Sequence, residues 1–181
     1  GGDKDFTALA MRRDGKVTLP EIPRPPSTFD IPIPRHELFN LRVNRSPLAR
    51  HRPFALVVTS IGCPFGCVFC VAGAVAYRWR SLQGVLAELE SLKALGIREI
   101  MFNDPTLTVS KKRMMDLCRE MEAREMRFSW VCNAHLTTLD DELAAAMKKA
   151  GCHTVMIGVE SGQEEILAAT EKNITREKAL A

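Results

Sequence analysis

From residue 54 onward, short apolar runs alternate with segments of helical period, and this alternation limits the fold more than any other feature. Phe54 to Thr59 reads as a first strand. Leu82, Val85, Leu86, Leu89 and Leu92 then recur at helical spacing, with Gly96 where a C-terminal cap belongs. Ile97 to Asn103 reads as a second strand, and Met114, Leu117, Cys118 and Met121 mark a second helix. Arg127 to Cys132 reads as a third strand. Thr138 with Asp141 has the form of a capping box for a helix carrying Leu139, Leu143 and Met147, which Gly151 ends. Cys152 to Val159 reads as a fourth strand, and Ser161 with Glu164 has the form of another capping box. Strands that are apolar on both faces and alternate with helices form a parallel sheet with helices outside. The expected class is therefore α/β, a partial TIM-like barrel, with chemistry at the C-terminal strand ends.

The first fifty residues follow another pattern. Ala8-Leu9-Ala10-Met11-Arg12-Arg13 and Lys16-Val17-Thr18-Leu19 flank Asp14-Gly15, a hairpin signal. Pro20, Pro23, Pro25, Pro26, Pro32 and Pro34 then crowd one stretch, which can be neither a helix interior nor a central strand. It reads as an extended linker. Arg35, Arg42, Arg45, Arg50 and Arg52 follow without the regular interleaving of aromatics that single-strand binding prefers, so a solvated arm fits better than a nucleic-acid surface. Residues 1–50 are accordingly expected to be hairpin plus arm, and residues 51–181 the start of a core domain.

Between the first strand and the first helix stands Ile61-Gly62-Cys63-Pro64-Phe65-Gly66-Cys67-Val68-Phe69-Cys70. The spacing puts three thiols on one short loop, and no fourth cysteine or histidine follows at matching distance. Four ligands would close a zinc or iron–sulfur site, whereas three leave one corner of a 4Fe–4S cluster open to substrate or cofactor. Pro64 limits the backbone after the first thiol, and Gly66 is expected to supply a positive φ or a close approach. A structural zinc site with a remote fourth ligand such as His51 is the competing reading. A disulfide framework is disfavoured, because six cysteines in 181 residues is low density and no secretory segment is visible. Cys118, Cys132 and Cys152 read as core residues. A net charge of +3 is too small to argue for nucleic acid. No apolar run approaches the roughly 20 residues of a membrane span. The chain opens Gly1-Gly2 without Met, which reads as an internal fragment or a tag scar. Free thiols fit a reducing cytoplasm.

The Cys-x3-Cys-x-aromatic-Cys run resembles the signature of the radical S-adenosylmethionine (radical SAM) enzymes. The resemblance implies that Cys63, Cys67 and Cys70 hold a 4Fe–4S cluster. It also implies that S-adenosylmethionine chelates the fourth iron and is reductively cleaved to a 5′-deoxyadenosyl radical. Polar segments at the other strand ends match the family's cofactor contacts. Asn103 and Asp104 fall where the methionyl amino group is met, and Glu160 and Ser161 where the ribose or sulfonium is met. Phe69 would meet adenine, and Asn133 and His135 follow the third strand. Which residues act on the substrate is not legible.

Trp130-Val131-Cys132-Asn133-Ala134, Gly158-Val159-Glu160-Ser161-Gly162 and Lys172-Asn173-Ile174-Thr175 further resemble the branch whose members often carry an N-terminal cobalamin-binding domain. That branch implies methylation, cyclisation or rearrangement of a small-molecule substrate. It also implies an external electron donor such as flavodoxin or ferredoxin, and cobalamin held in a domain absent from this chain. The alternatives are a radical SAM enzyme without cobalamin, such as a methylthiotransferase, and a non-catalytic zinc module. Two departures stand out. His135 occupies the place of a common Arg, and Asn103 the place of one of two adjacent Asp residues. The family core has six βα units, of which four are legible, so the core is expected to be incomplete and inactive alone.

Overall fold

The computed structural model describes residues 11–13, 15–18 and 26–180. Strands β1 (Met11–Arg13) and β2 (Lys16–Thr18) form the expected antiparallel hairpin, with Gly15 at φ +76°. Asp14, Pro20, Pro23 and Pro25 lie outside the described residues.

From Pro26 the arm is largely exposed, but it is not a free linker. Strand β3 (Thr28–Phe29) pairs in parallel with β6 (Arg78–Arg80). The Asp30 carboxylate accepts from Ser81 N (3.2 Å) and Ser81 Oγ (2.8 Å). His36 Nε2 lies 2.9 Å from the Glu88 carboxylate. These long-range ties correct the expectation of a solvated arm over this segment.

The main sheet has four parallel strands in the order β4 (Phe54–Val57), β7 (Glu99–Phe102), β8 (Ser129–Ala134), β9 (Cys152–Ile157). Helices α1 (Leu82–Ala94), α2 (Lys111–Ala123) and α3 (Asp141–Lys149) form the connections. Each presents its expected apolar stripe to one sheet face. Leu86, Leu89 and Leu92 of α1 are fully buried, each worth about 1.5–3 kcal/mol by transfer. They pack with Met114, Leu117, Cys118 and Met121 of α2 and Leu143 and Met147 of α3 over Ile100, Phe102 and Trp130. Phe102 and Trp130 meet edge to face at 5.2 Å. The other sheet face is more open: Leu56 is 48% exposed, and every residue of β9 is only half-buried. The strands are thus apolar on both faces but fully covered on one.

Local boundaries depart from the sequence reading where side chains choose other partners. Asp140, not Thr138, caps α3, accepting from Leu143 N at 2.9 Å. Thr138 Oγ1 instead donates to the His135 carbonyl. Before α4 (Glu164–Ala169), the Ser161 hydroxyl accepts from Gln163 N, so no capping box with Glu164 forms. The first run breaks at Val58, and Ser60–Ile61 becomes β5, antiparallel to β6. That pairing closes the cysteine loop at its base. Beneath it lies a buried ion pair absent from the sequence reading. Arg80 Nη1 sits 2.5 Å from Glu88 Oε2 and donates to the Val58 carbonyl at 2.8 Å.

Candidate cofactor site at the C-terminal ends of the strands

The cysteine loop leaves β5 through Gly62 and returns into β6. Gly62 has φ +70°, and a Cβ there would stand 2.3 Å from the Val75 carbonyl. The loop therefore crosses its own return limb at a point that tolerates only hydrogen. Gly66, expected in this role, has no positive φ and no neighbour within 4 Å of a Cβ. Cys70 N donates to the Cys67 carbonyl (3.0 Å), and Val68 N donates to Thr170 O (3.2 Å) just past α4.

Cys63, Cys67 and Cys70 are free thiols that line one cleft of about 340 Å³. Cys63 and Cys67 are half-buried and Cys70 is exposed. Burial pushes the Cys67 thiol up, and the charge of Lys172 opposes this. Among the described residues, no three His, Cys or carboxylate side chains stand close enough to hold a metal ion between them. The donor set nonetheless fits a cluster with an open corner: three thiols on one loop, facing one cleft, with a cation beside them. His51, the remote zinc ligand considered, lies at the opposite ends of the strands. Its N–H meets the carboxylate of Glu99, the first residue of β7. Cys118 and Cys132 are buried in the core, and burial pushes the Cys118 thiol up to about 12.

Asn133, His135 and Glu160 line the same cleft. Asn133 Nδ2 donates to the Asp104 carbonyl at 3.0 Å, tying the end of β8 to the end of β7. His135 is 4% exposed, and its ring stacks on Phe65 of the cysteine loop. Nδ1 lies 2.7 Å from Thr137 Oγ1 and 3.3 Å from Thr137 N, so Thr137 holds that edge of the ring in either tautomer. Nε2 is buried without a partner. Burial, then the charge of Lys172, holds His135 below the ordinary imidazole value. Phe69 stands at the rim, 55% exposed.

Three expected contact residues lie outside the cleft lining. The Asp104 carboxylate is fully buried and does not line the cleft. It accepts from Thr59 N (2.9 Å), Ser60 Oγ (2.7 Å) and Ser60 N, pinning the turn between β4 and β5. Burial raises its pKa, against the pull of those donors. Asn103 is exposed and outside the cleft lining; its backbone N–H donates to Val57 O. Asp104 therefore holds the turn before the cysteine loop rather than facing the cleft. Ser161 also lies outside the lining, its hydroxyl held by Gln163 N.

Glu160 has φ +72°, a left-handed conformation that costs a non-glycine residue about 1–2 kcal/mol. The turn sends its carboxylate back onto Lys172 Nζ at 2.5 Å, and the same ammonium donates to Gly158 O at 2.8 Å. Lys172 is only 9% exposed. The sequence reading missed it, although it opens the Lys172-Asn173-Ile174-Thr175 run; a lysine well past the last apolar strand, which ends at Ile157, gives no local sign of burial. Phe65 was missed as well, although it stands inside the cysteine run.

The family model for the radical SAM superfamily matches residues 57–181, which span the cysteine loop and all three later strands. This chain belongs to the radical SAM superfamily. Among curated relatives, an uncharacterised methyltransferase of Pyrococcus horikoshii is 36% identical over 98% of this chain and 39% of its own length. The bacteriochlorophyllide d C-12(1)-methyltransferase of Chlorobaculum tepidum is 27% identical over 76% of this chain and 31% of its own length. Among solved structures, the radical SAM methyltransferase TsrM from Kitasatospora setae, with cobalamin and a 4Fe–4S cluster bound, is 28% identical, with TM-score 0.63 over 70% of this chain and 27% of its own. The chain thus spans two fifths or less of these proteins. Among its described residues, no helix is long and apolar enough to cross a membrane.

Proposed function

We propose that Cys63, Cys67 and Cys70 hold a 4Fe–4S cluster, with S-adenosylmethionine bound beside it, in an enzyme of the cobalamin-linked methyltransferase or cyclase type. The observation that carries this reading is the gathering of three free thiols with Asn133, His135, Glu160 and Lys172 on one cleft at the C-terminal strand ends. When bound, the cluster supplies one electron to the sulfonium of S-adenosylmethionine.

The chain's own groups do the rest. The β5–β6 pairing and the Gly62 crossing hold the loop ends together. The stacked Phe65 and His135 rings wall off water, and the unpaired Nε2 of His135 offers a polar contact to the cofactor. Glu160 offers a carboxylate to a sulfonium or ammonium. Phe69 gives the rim an aromatic face for adenine. The substrate is a small molecule, and a low-potential donor of the flavodoxin or ferredoxin type delivers the electron. Cobalamin enters through the likeness to TsrM, and no residue of this cleft is assigned to it. A reducing cytoplasm suits this reading, because free thiols persist there.

Anaerobic reconstitution with iron and sulfide tests this reading. A cluster should form, and adding S-adenosylmethionine should change the EPR signal of its reduced state. Ala at position 63, 67 or 70 should abolish it; Ala at 118, 132 or 152 should not. Stoichiometric zinc with no uptake of iron would reject the proposal.

A further inference from the structure

Among the described residues, the cleft lined by the three thiols contains one cation, Lys172, and one carboxylate, Glu160, and they are paired with each other. The pair is built into the fold. Glu160 adopts a left-handed backbone to reach Lys172. A Cβ at Gly158 would lie 2.2 Å from Glu160 Oε1 and 2.7 Å from Lys172 Nζ, so the missing side chain makes room for the pair. Lys172 is nearly buried, where a charge is screened least. As long as Glu160 holds it, the cleft sees a near-neutral dipole. If Glu160 turns to another cation, the full charge of Lys172 faces the thiols.

We infer that the Lys172–Glu160 pair couples ligand binding to electron uptake: a cationic ligand that engages Glu160 unmasks Lys172 and makes the cluster easier to reduce. The inference rests on the cluster reading above. A 4Fe–4S core with three thiolates carries a net charge of −1 when oxidised and −2 once it has taken one electron from the external donor. A nearby cation therefore favours the reduced form. S-adenosylmethionine, through its sulfonium, is a ligand of the required charge. Coupling of this kind is reciprocal, so reduction should also tighten ligand binding.

The test is a redox titration of the reconstituted protein, followed by EPR, with and without S-adenosylmethionine. Lys172→Met should move the midpoint potential down and Glu160→Gln should move it up, while Lys172→Arg should stay near the wild type. The ligand should raise the potential of the wild type, and the rise should shrink in Glu160→Gln, where little is left to unmask. A purely structural role would move both variants the same way or neither, and either result overturns the inference. If Lys172→Met does not fold, an unchanged potential in Glu160→Gln is sufficient to overturn it. A wild type that takes up no iron instead overturns the cluster reading beneath it.

Discussion

The imidazole of His135 stacks on the ring of Phe65, with centroids 3.9 Å apart and planes 12° from parallel. One ring belongs to the cysteine loop and the other to the end of β8, so the contact fastens the loop to the main sheet. Stacked rings of this kind add about 0.5–1.5 kcal/mol beyond the area they bury. In a double-mutant cycle of Phe65→Leu and His135→Gln, urea unfolding of the apo-protein should show a coupling of that size. Strict additivity would mean that the stack holds nothing.

The same histidine sets a pH dependence. Its folded-state pKa lies below the ordinary 6.5, with burial as the main cause. The unfolded chain therefore binds the proton more readily, and the neutral ring's contribution is fully present above pH 6.5 and lost as pH falls through the folded value. Between pH 7 and 5, the urea midpoint of the wild type should fall further than that of His135→Gln. Parallel curves would place the titration elsewhere.

Asp104 is expected to act through the loop. Asp104→Asn turns an amide N–H₂ toward the donors of Thr59 or Ser60, leaving buried groups unmatched at a cost of about 1–3 kcal/mol. Urea unfolding should register that loss, and the yield of reconstituted cluster should drop. The affinity of each assembled cluster for S-adenosylmethionine, read by EPR titration, should change little. A selective loss of that affinity would restore Asp104 to direct cofactor contact.

The Arg80–Glu88 pair is 1% and 2% exposed, so Glu88→Ala leaves a guanidinium buried without its counter-charge. The expected cost is about 3–5 kcal/mol in chemical denaturation. Arg80→Met with Glu88→Leu should recover much of it, because two apolar side chains need no partner. Equal destabilisation by the single and double variants would argue against the charge account.

At Gly62, Ala meets both a left-handed backbone and the Val75 carbonyl. Gly62→Ala should sharply lower iron incorporation, while Gly66→Ala, which meets open space, should incorporate iron as the wild type does. Iron content by colorimetric assay distinguishes the two.

The sequence by itself determined the βα alternation, the helical stripes and the cysteine triplet. These are periodic or local patterns, and burial of one helix face follows directly from spacing. It also placed Asn133, His135 and Glu160 at strand ends, because a parallel strand that finishes in polar residues must present them at one edge of the sheet. It could not say which polar group each would meet. Asp104 and Glu160 look alike as carboxylates after a strand, yet one is drawn under the β4–β5 turn and the other is paired with Lys172. Glu88 sits on an apolar helix face because Arg80, eight residues away, is buried against it. The glycine that matters is Gly62 rather than Gly66, since only the folded loop brings Val75 across it. Partner choice among polar groups depends on which distant segments desolvate them together. That proximity exists only once the chain has packed.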